Sequence, residues 1–396
     1  MNYSLKTKLN ESLEKLSELL DISESHYNQA VERYQAVGSW LAREESSIAK
    51  YNPKIYPQGS FLLGTMIKPV ADVEEYDIDL VCEVDLTKKE VSQKQLKEMV
   101  GYEIKSYVEA NNMKNLPEEG KRCWTLNYAE STQFHMDILP ALPDSESFRL
   151  FLSSKGLSPV WTEFAIAITD KRHKNYEKID EDWLRSNPKG YAMWFKERMK
   201  VQFEKRRKFL AEMIKADVED VPDYKVKTPL QRAIQILKRH RDIMFENDQE
   251  NKPISIIITT LAAHAYNNED GLLDALISIV NGMSRYIQYK QGKPWIPNPV
   301  NPTENFADKW VKNPKLKENF EQWLKKVKDD FETLLNSQDL DNMIEELRPK
   351  FGDRRVNEMA SQLFPDNNPS KETDKIAAPY IRISNNPTKP WGEELE

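Results

Sequence analysis

The spacing of apolar residues predicts helices at the start of the chain and a small sheet after them. In the first 50 residues, apolar positions recur every three or four residues, as in Leu13, Leu16 and Leu20. This predicts two helices, or one helix broken near Asp21, and Pro53 ends the segment. Short β-like runs follow, with a helix over 88–111 between the second and third of them. The runs are residues 54–57, 77–84, 123–128, 134–139 and 164–168.

Long helical patterns dominate the chain beyond residue 190. They cover residues 191–215, 230–245, 254–266, 272–289 and 315–335. Prolines crowd residues 292–302, which forbids a helix there and predicts an extended loop. We therefore expect an α+β protein in three parts. These are a lobe with N-terminal helices and a small mixed sheet at 1–190, a helical C-terminal lobe at 191–365, and a flexible Pro- and Asn-rich tail at 366–396.

Two aspartates project from one face of the second predicted strand. Residues i and i+2 of a strand share a face, so Asp77 and Asp79 present two carboxylates side by side. Adjacent carboxylates repel unless a cation separates them, and Mg²⁺ prefers such hard oxygen ligands. Asp137 is a third acid, and because burying it unpaired in its apolar strand is costly, we expect it to face the same site. The neighbouring His135 is expected to point to the opposite face.

Three carboxylates of this kind can hold two Mg²⁺ ions, with Mn²⁺ as an alternative metal. One ion lowers the pKa of an attacking hydroxyl, and the other neutralises a departing pyrophosphate. The expected chemistry is in-line phosphoryl transfer. An Asp-x-Asp pair alone is also typical of a solvated strand face, so the metal site depends on the accompanying features.

A short turn, Gln58-Gly59-Ser60, lies just upstream of the acids. Gly59 lets the backbone approach a phosphate closely, and Ser60 is expected to cap a short helix. The backbone amides at the start of that helix suit a triphosphate. The alternative is a plain turn with a helix cap. Because this turn occurs together with three acids, we favour phosphate binding.

This order of features resembles the polymerase-β-type nucleotidyltransferases. The features are a Gly-Ser turn, a run of under twenty residues, an Asp-x-Asp strand and a later single strand Asp. The closer resemblance is to the cGAS/DncV-like bacterial cyclases (CD-NTases) and the oligoadenylate synthetases, and it covers residues 57–81, 134–140, 230–266 and 298–306. It implies a polymerase-β-like lobe in which Asp77, Asp79 and Asp137 are the catalytic metal ligands.

The same resemblance implies the function. Members of this family make cyclic di- or trinucleotides from nucleoside triphosphates such as ATP and GTP, in bacterial antiphage (CBASS) signalling. An accessory regulator and an effector that responds to the diffusible product are the implied partners. Linear oligonucleotide synthesis or RNA extension is the alternative activity, and a catalytically silent nucleotide-binding scaffold is the alternative from another class. The bases, the linkage and the ring size stay open.

A later helix and loop carry two further residues of the resemblance. Lys238 and Ser255 occupy positions whose Lys and Ser contact the donor triphosphate in that family. With Gln58, Gly59 and Ser60 they form the predicted nucleotide-binding set. The alternatives are a lysine on a solvated basic face and a serine that caps the following helix.

The composition of the chain restricts the classes of ligand and partner that it is expected to bind. The 396 residues carry a net charge of -7, whereas a protein that grips long nucleic acid is expected to show a basic excess. We therefore expect nucleoside triphosphates, and no long nucleic acid, as ligands. The chain contains no run of ~20 uninterrupted apolar residues, so we expect a cytoplasmic protein without membrane contact. Its two cysteines, Cys82 and Cys123, form neither a disulfide framework nor a zinc-finger spacing.

Overall fold

The computed structural model describes residues 3–70, 76–128, 134–215 and 217–365. Its contacts divide the chain into two compact units. Within the described residues, the sheet unit comprises 21–231 and 297–305, and the helical unit comprises 3–20, 232–296 and 306–365. This division differs from the predicted boundary at residue 190. The predicted tail, 366–396, lies outside the described residues.

The described residues combine helices with one larger sheet, which confirms the predicted α+β class. The helices are α1 (Tyr3–Leu20), α2 (Glu24–Ala42), α3 (Gly59–Leu62), α4 (Gln93–Ala110), α5 (Ser145–Ser154), α6 (Pro188–Ile214), α7 (Pro229–Met244), α8 (Ser255–Ala265), α9 (Leu272–Gly282), α10 (Lys309–Lys312), α11 (Pro314–Leu335), α12 (Leu340–Phe351) and α13 (Asp353–Leu363). The strands are β1 (Lys54–Pro57), β2 (Tyr76–Glu83), β3 (Glu118–Glu119), β4 (Trp124–Asn127), β5 (Phe134–Pro143), β6 (Ile166–Ile168), β7 (Leu184–Ser186), β8 (Gln288–Lys290), β9 (Lys293–Trp295), β10 (Pro297–Asn298) and β11 (Asn301–Asn305).

Strand β5 is the centre of the larger sheet. The strand order is β1-β2-β5-β4-β3, with β6 added to β5 and β7 to β6. β5 runs parallel to β2 and antiparallel to β4 and β6. Its first half pairs with β4 and its last residues pair with β6, so a single long strand joins both parts of the sheet.

The two faces of β2 differ in polarity. Ile78, Leu80 and Cys82 are fully buried in a core that also contains residues of α2 and α4. Because successive side chains of a strand alternate between faces, Asp77 and Asp79 lie on the face away from this core. Burial of the apolar set therefore fixes the direction in which the acids point.

Local capping explains where several helices begin. The Ser23 side chain accepts a hydrogen bond from an amide of the first turn of α2. Ser92 and Gln95 form a reciprocal capping box at the start of α4. Asn187 accepts from the amide of Gly190 at the start of α6, next to Pro188 in the first helical position.

The first helix belongs to the helical unit. Leu5, Leu9, Leu13, Leu16 and Leu20 form a buried stripe along α1. This helix packs against α9, α12 and α13, which come much later in the chain. The spacing of the leucines predicts the helix, but only these distant partners assign it to a unit.

The predicted helix over 272–289 is too long. α9 ends at Gly282, after which a short 3-10 turn leads into β8, which pairs with β9. A Cβ on Gly282 would lie 2.9 Å from the Cβ of Ala265, so glycine permits the close approach of α8 at this point. The segment 292–302 is extended, as expected, and contributes to β9, β10 and β11. Among the described helices, none has the length and apolar character needed to cross a membrane.

Candidate functional site

Three aspartates meet on the exposed face of the larger sheet. β2 and β5 are parallel and in register, so Asp79 lies directly opposite Asp137. Asp77 lies two residues before Asp79 on β2, and so on the same face of the sheet. One carboxylate oxygen from each of the three lies within 4.8 Å of the others. The structure therefore brings together the acids that the sequence singled out.

The environment of Asp137 opposes the ionisation of its carboxyl group. Burial raises the pKa of its carboxyl group, a hydrogen bond from the Thr125 hydroxyl lowers it, and the nearby charge of Asp77 raises it again. The net pKa is above the ordinary value for an aspartate. The ionised form is thus costly in the protein alone, and a cation at this position would offset the cost.

His135 is also part of this face, which corrects the expected orientation. Its Nε2 lies 3.2 Å from Oδ1 of Asp77. His135 and Asp137 are two positions apart on one strand, and residues with that spacing share a face. The side chain therefore borders the acids instead of packing behind the sheet.

The Gly59 backbone lies directly against one of the acids. Gly59 has a φ of +59°, a conformation that side chains other than that of glycine rarely adopt. A Cβ at this position would stand only 2.6 Å from Oδ2 of Asp79. The preceding residue, Gln58, donates its backbone N–H to the Asp79 carbonyl at 2.8 Å. The turn and the second acid are therefore held as one structural piece.

The structure corrects the capping role expected for Ser60. α3 begins at Gly59, so the residue in the N-cap position is Gln58, and its side chain makes no capping hydrogen bond. Ser60 is the second residue of the helix and is half-buried. Its carbonyl accepts from the amide of Thr65 at 3.0 Å, which closes the turn on the far side.

The other two predicted nucleotide-binding residues belong to the helical unit. Lys238 lies on α7 and is only 4% exposed. The next three residues are buried to a similar degree: Arg239 is 2% exposed, His240 3% and Arg241 5%. This burial is incompatible with the alternative of a solvated basic face. Basic side chains are rarely buried without partners, and here His240 pairs with Asp330 and Arg241 with Asp242.

Ser255 is held by an arginine. It is the first residue of α8, and Ile254 occupies the N-cap position, so the alternative role of a capping serine is wrong. The Arg241 guanidinium donates to the Ser255 hydroxyl at 2.8 Å and to the Pro253 carbonyl at 3.1 Å. The same guanidinium makes two hydrogen bonds to Asp242, which fixes its plane.

Comparison with known proteins shows what this chain is similar to. Residues 53–140 match the family described as cyclic GMP-AMP synthase DncV-like, nucleotidyltransferase domain. A c-di-GMP synthase of Roseivirga ehrenbergii is 29% identical over 349 residues, which cover 88% of this chain and 85% of the relative. The cyclic dinucleotide synthase CdnG of Bradyrhizobium diazoefficiens is 26% identical over 343 residues, or 83% of this chain and 76% of the relative.

Over residues 53–140, this chain is similar to the DncV-like nucleotidyltransferases. Its fold agrees with that of the Bradyrhizobium diazoefficiens CD-NTase CdnG solved in complex with GTP, with a TM-score of 0.67 at 24% identity. That match covers 90% of this chain and 99% of the solved one. The expected resemblance and the expected enzyme type, a nucleotidyltransferase, are therefore confirmed.

The matched segment of the nucleotidyltransferase contains the Gly59 turn and all three aspartates. Lys238 and Ser255 lie beyond its end at residue 140. The individual roles of the turn, the acids and these two residues are taken up as proposals below.

The side chains around the acids suit a hard divalent cation. Three carboxylate oxygens are the donors that such ions prefer. Cys123 is the nearby soft donor, and burial, followed by the charges of Asp137 and Asp79, raises the pKa of its thiol. The thiol therefore stays protonated at neutral pH and does not compete as a ligand.

Thr125 is a site residue of the nucleotidyltransferase that sequence reasoning missed. It lies on β4 directly opposite Asp137 of β5, and its hydroxyl donates to that carboxylate. A lone threonine in a strand gives no signal of its own. Only the pairing of β4 with β5 places it beside an acid.

Proposed function

We propose that this nucleotidyltransferase condenses nucleoside triphosphates of the ATP and GTP type into a cyclic di- or trinucleotide and releases pyrophosphate. The observation that carries the proposal is the meeting of Asp77, Asp79 and Asp137, with the Gly59 backbone packed against Asp79. The two similar curated proteins, a c-di-GMP synthase and a cyclic dinucleotide synthase, support a cyclic product.

In this proposal the three aspartates are the catalytic metal ligands. They would hold two Mg²⁺ ions, or Mn²⁺ in their place, which would supply activation of the attacking ribose hydroxyl and neutralisation of the pyrophosphate. Thr125 orients Asp137 through its hydrogen bond. His135 lies beside Asp77 and restricts the positions that this carboxylate can take.

The triphosphate is held by backbone and side-chain groups. Gly59 and Ser60 present the backbone amides of the first turn of α3 to a phosphate, and Gln58 anchors the turn to β2. Lys238 and Ser255 contact the donor triphosphate in the same proposal. Because Arg241 already fixes the Ser255 hydroxyl, this contact requires little further ordering of the side chain.

A guanine nucleotide is the first substrate to test. One similar protein is named for c-di-GMP, and the similar solved structure contains GTP. The net charge of -7 favours small nucleotides over a long nucleic acid as the ligand. By the family resemblance, the product serves antiphage (CBASS) signalling in the cytoplasm, with an accessory regulator of the enzyme and an effector that binds the product.

Product analysis tests this function. Purified protein is incubated with GTP alone and with all four nucleoside triphosphates, in Mg²⁺ and separately in Mn²⁺, and the products are identified by mass spectrometry. We expect a product that resists phosphatase and has the mass of a cyclic di- or trinucleotide. A phosphatase-sensitive ladder would instead support linear synthesis, and nucleotide binding without any product would support the scaffold alternative.

A pair of variants ties the product to the site. Asp77→Asn removes one metal ligand without changing the shape of the side chain and is expected to abolish product formation. Asp85→Asn is the matched control, because Asp85 is an exposed acid that follows the same strand and does not belong to the cluster. Equal activity of the two variants would contradict the metal assignment.

A further inference from the structure

The turn that contains Gly59 is fastened at its back by side chains from far along the sequence. Lys227 donates a hydrogen bond from Nζ to the Gly64 carbonyl at 3.1 Å. Gln231 donates from Nε2 to the Leu63 carbonyl at 3.0 Å. These carbonyls follow the last residue of α3, where a helix has no internal donors left to satisfy them.

Lys227 is itself held in place. Its Nζ lies 2.9 Å from Oδ2 of Asp21 and forms a second contact with Oδ1 at 3.1 Å. Both side chains are mostly buried, at 15% and 19% exposed. The ion pair therefore orients the lysine towards the Gly64 carbonyl in an environment with little competing water.

Gln231 is held in the same way. It is 5% exposed, and its Oε1 accepts from the backbone amide of Thr228 at 2.9 Å and from the Thr228 hydroxyl at 3.1 Å. With Oε1 engaged, the amide group of Gln231 has one defined orientation, in which Nε2 faces Leu63. Both polar atoms of the Gln231 side chain therefore form hydrogen bonds.

Gly64 completes the fit. Its φ is +64°, and a Cβ built on it would lie 2.6 Å from Nε2 of Gln231. The backbone of the turn therefore approaches the glutamine more closely than any other residue type allows. Lys227, Gln231 and Gly64 form what we call the turn clamp.

The clamp matters because α3 is too short to fix itself. The helix contains four residues, and its own backbone closes with only a few hydrogen bonds, such as Leu63 N–H to the Gly59 carbonyl at 3.1 Å. A single turn of helix is not stable without tertiary contacts. Gly59 lies at the front of this turn, against Asp79, and the clamp lies at its back.

We infer that Lys227 and Gln231 are positioning residues for nucleotide binding, which act by holding the Gly59 turn against the aspartates. The inference rests on the proposed function, in which this turn receives the triphosphate. A displacement of about 1 Å is enough to lower a catalytic rate by about 100-fold, so the clamp sets the efficiency of the site without touching the substrate.

The test uses two variants that keep side-chain size and remove the hydrogen bonds, Lys227→Met and Gln231→Met. Lys225→Met is the matched control, since Lys225 pairs with Glu24 of α2 at 2.8 Å. It removes a lysine from the same segment together with its ion pair to an acid. Binding of a non-hydrolysable GTP analogue, the steady-state kcat and KM, and the unfolding temperature are measured for each.

We expect both clamp variants to weaken binding of the analogue and to lower kcat/KM by about 10-fold or more. Stabilisation by Mg²⁺ without nucleotide should be unchanged, because the aspartates stay in place, and Lys225→Met should behave as wild type. Lys227→Arg should restore most of the binding, since the guanidinium can donate to both the Asp21 carboxylate and the Gly64 carbonyl.

Two results would overturn the inference. One is a pair of folded clamp variants with wild-type analogue binding and kcat/KM. The other is a parallel loss of Mg²⁺ stabilisation and nucleotide binding, which indicates a general structural defect. If Lys227→Met unfolds, Gln231→Met decides the question. Wild-type protein that binds no analogue contradicts the proposed function and the clamp together, whereas binding that is equal in wild type and variants contradicts the clamp alone.

Discussion

Gly59 and Asp79 lie so close together that no side chain fits between them. The Cβ of an alanine at position 59 would stand 2.6 Å from the Asp79 carboxylate, well inside normal contact. The backbone of the turn and the carboxylate therefore constrain each other, and a change at either position is felt at the other.

Gly59→Ala should abolish or strongly reduce product formation in a protein that still folds. Two effects act: the left-handed backbone, which costs about 1–2 kcal/mol for a residue with a Cβ, and the collision with Asp79. Gly156→Ala separates them, because Gly156 also has a positive φ of +68° but has no atom within 4 Å of its Cβ position. Activity and urea unfolding of both variants are compared. Equal loss of activity would show that the collision is irrelevant.

In a chelator, the Asp137→Asn variant should unfold at a higher temperature than wild type. In Mg²⁺, it should unfold at a lower temperature than wild type. Burial and the charge of Asp77 raise the pKa of Asp137, so its ionised form destabilises the folded state at neutral pH without a cation. Asparagine removes the charge and still accepts from Thr125. A bound ion stabilises the folded wild type, and the stabilisation grows with the occupancy of the site, whereas the variant lacks one of the ligands. Unfolding temperatures in EDTA and in millimolar Mg²⁺ check this, and the same order in both conditions contradicts a metal at the cluster.

Thr125→Val should lower kcat/KM by about 10–100-fold, the usual effect of removing a partner that orients a metal ligand. Valine keeps the shape of the side chain but cannot donate to Asp137. Thr125→Ser keeps the hydroxyl and should retain most of the activity. The Mg²⁺ concentration that gives half-maximal activity should rise in Thr125→Val but not in Thr125→Ser. Wild-type kinetics for Thr125→Val would mean that the hydrogen bond does not position the acid.

Asp330→Asn should destabilise the helical unit near neutral pH by about 3 kcal/mol, as expected when one partner of a buried pair is removed. Burial alone raises the pKa of Asp330, but hydrogen bonds from His240 at 3.0 Å and Lys326 at 2.7 Å outweigh it and lower the pKa to about 2. Because this folded pKa lies below the unfolded one, the stabilisation is complete above the ordinary aspartate pKa of 3.8 and is lost as the pH falls through about 2.

Urea unfolding of wild type and Asp330→Asn between pH 2 and 7 measures this effect. The difference between the two proteins should be largest near neutral pH and should shrink as the pH falls from about 4 to about 2. Asp329→Asn is the control, since Asp329 is the exposed neighbour on the same helix. A difference that does not change with pH would assign the effect to packing instead of charge.

The sequence alone determined the local features of the site. Alternation along a strand placed Asp77 and Asp79 on one face, because that geometry needs no knowledge of the neighbouring strands. The same alternation places His135 and Asp137 on one face, as the structure shows, so the expectation that His135 points to the opposite face was wrong. Leucine spacing likewise predicted α1, although not its partners.

Tertiary structure decided which of these features meet. Asp137 is opposite Asp79 because β2 and β5 bury their apolar faces in one core and so pair in a single register, which no local pattern encodes. Thr125 reaches Asp137 through another strand pairing, and Lys227 reaches the Gly64 carbonyl across more than 160 residues. Periodicity records which side of an element is buried, whereas the partner on that side depends on how the whole chain packs.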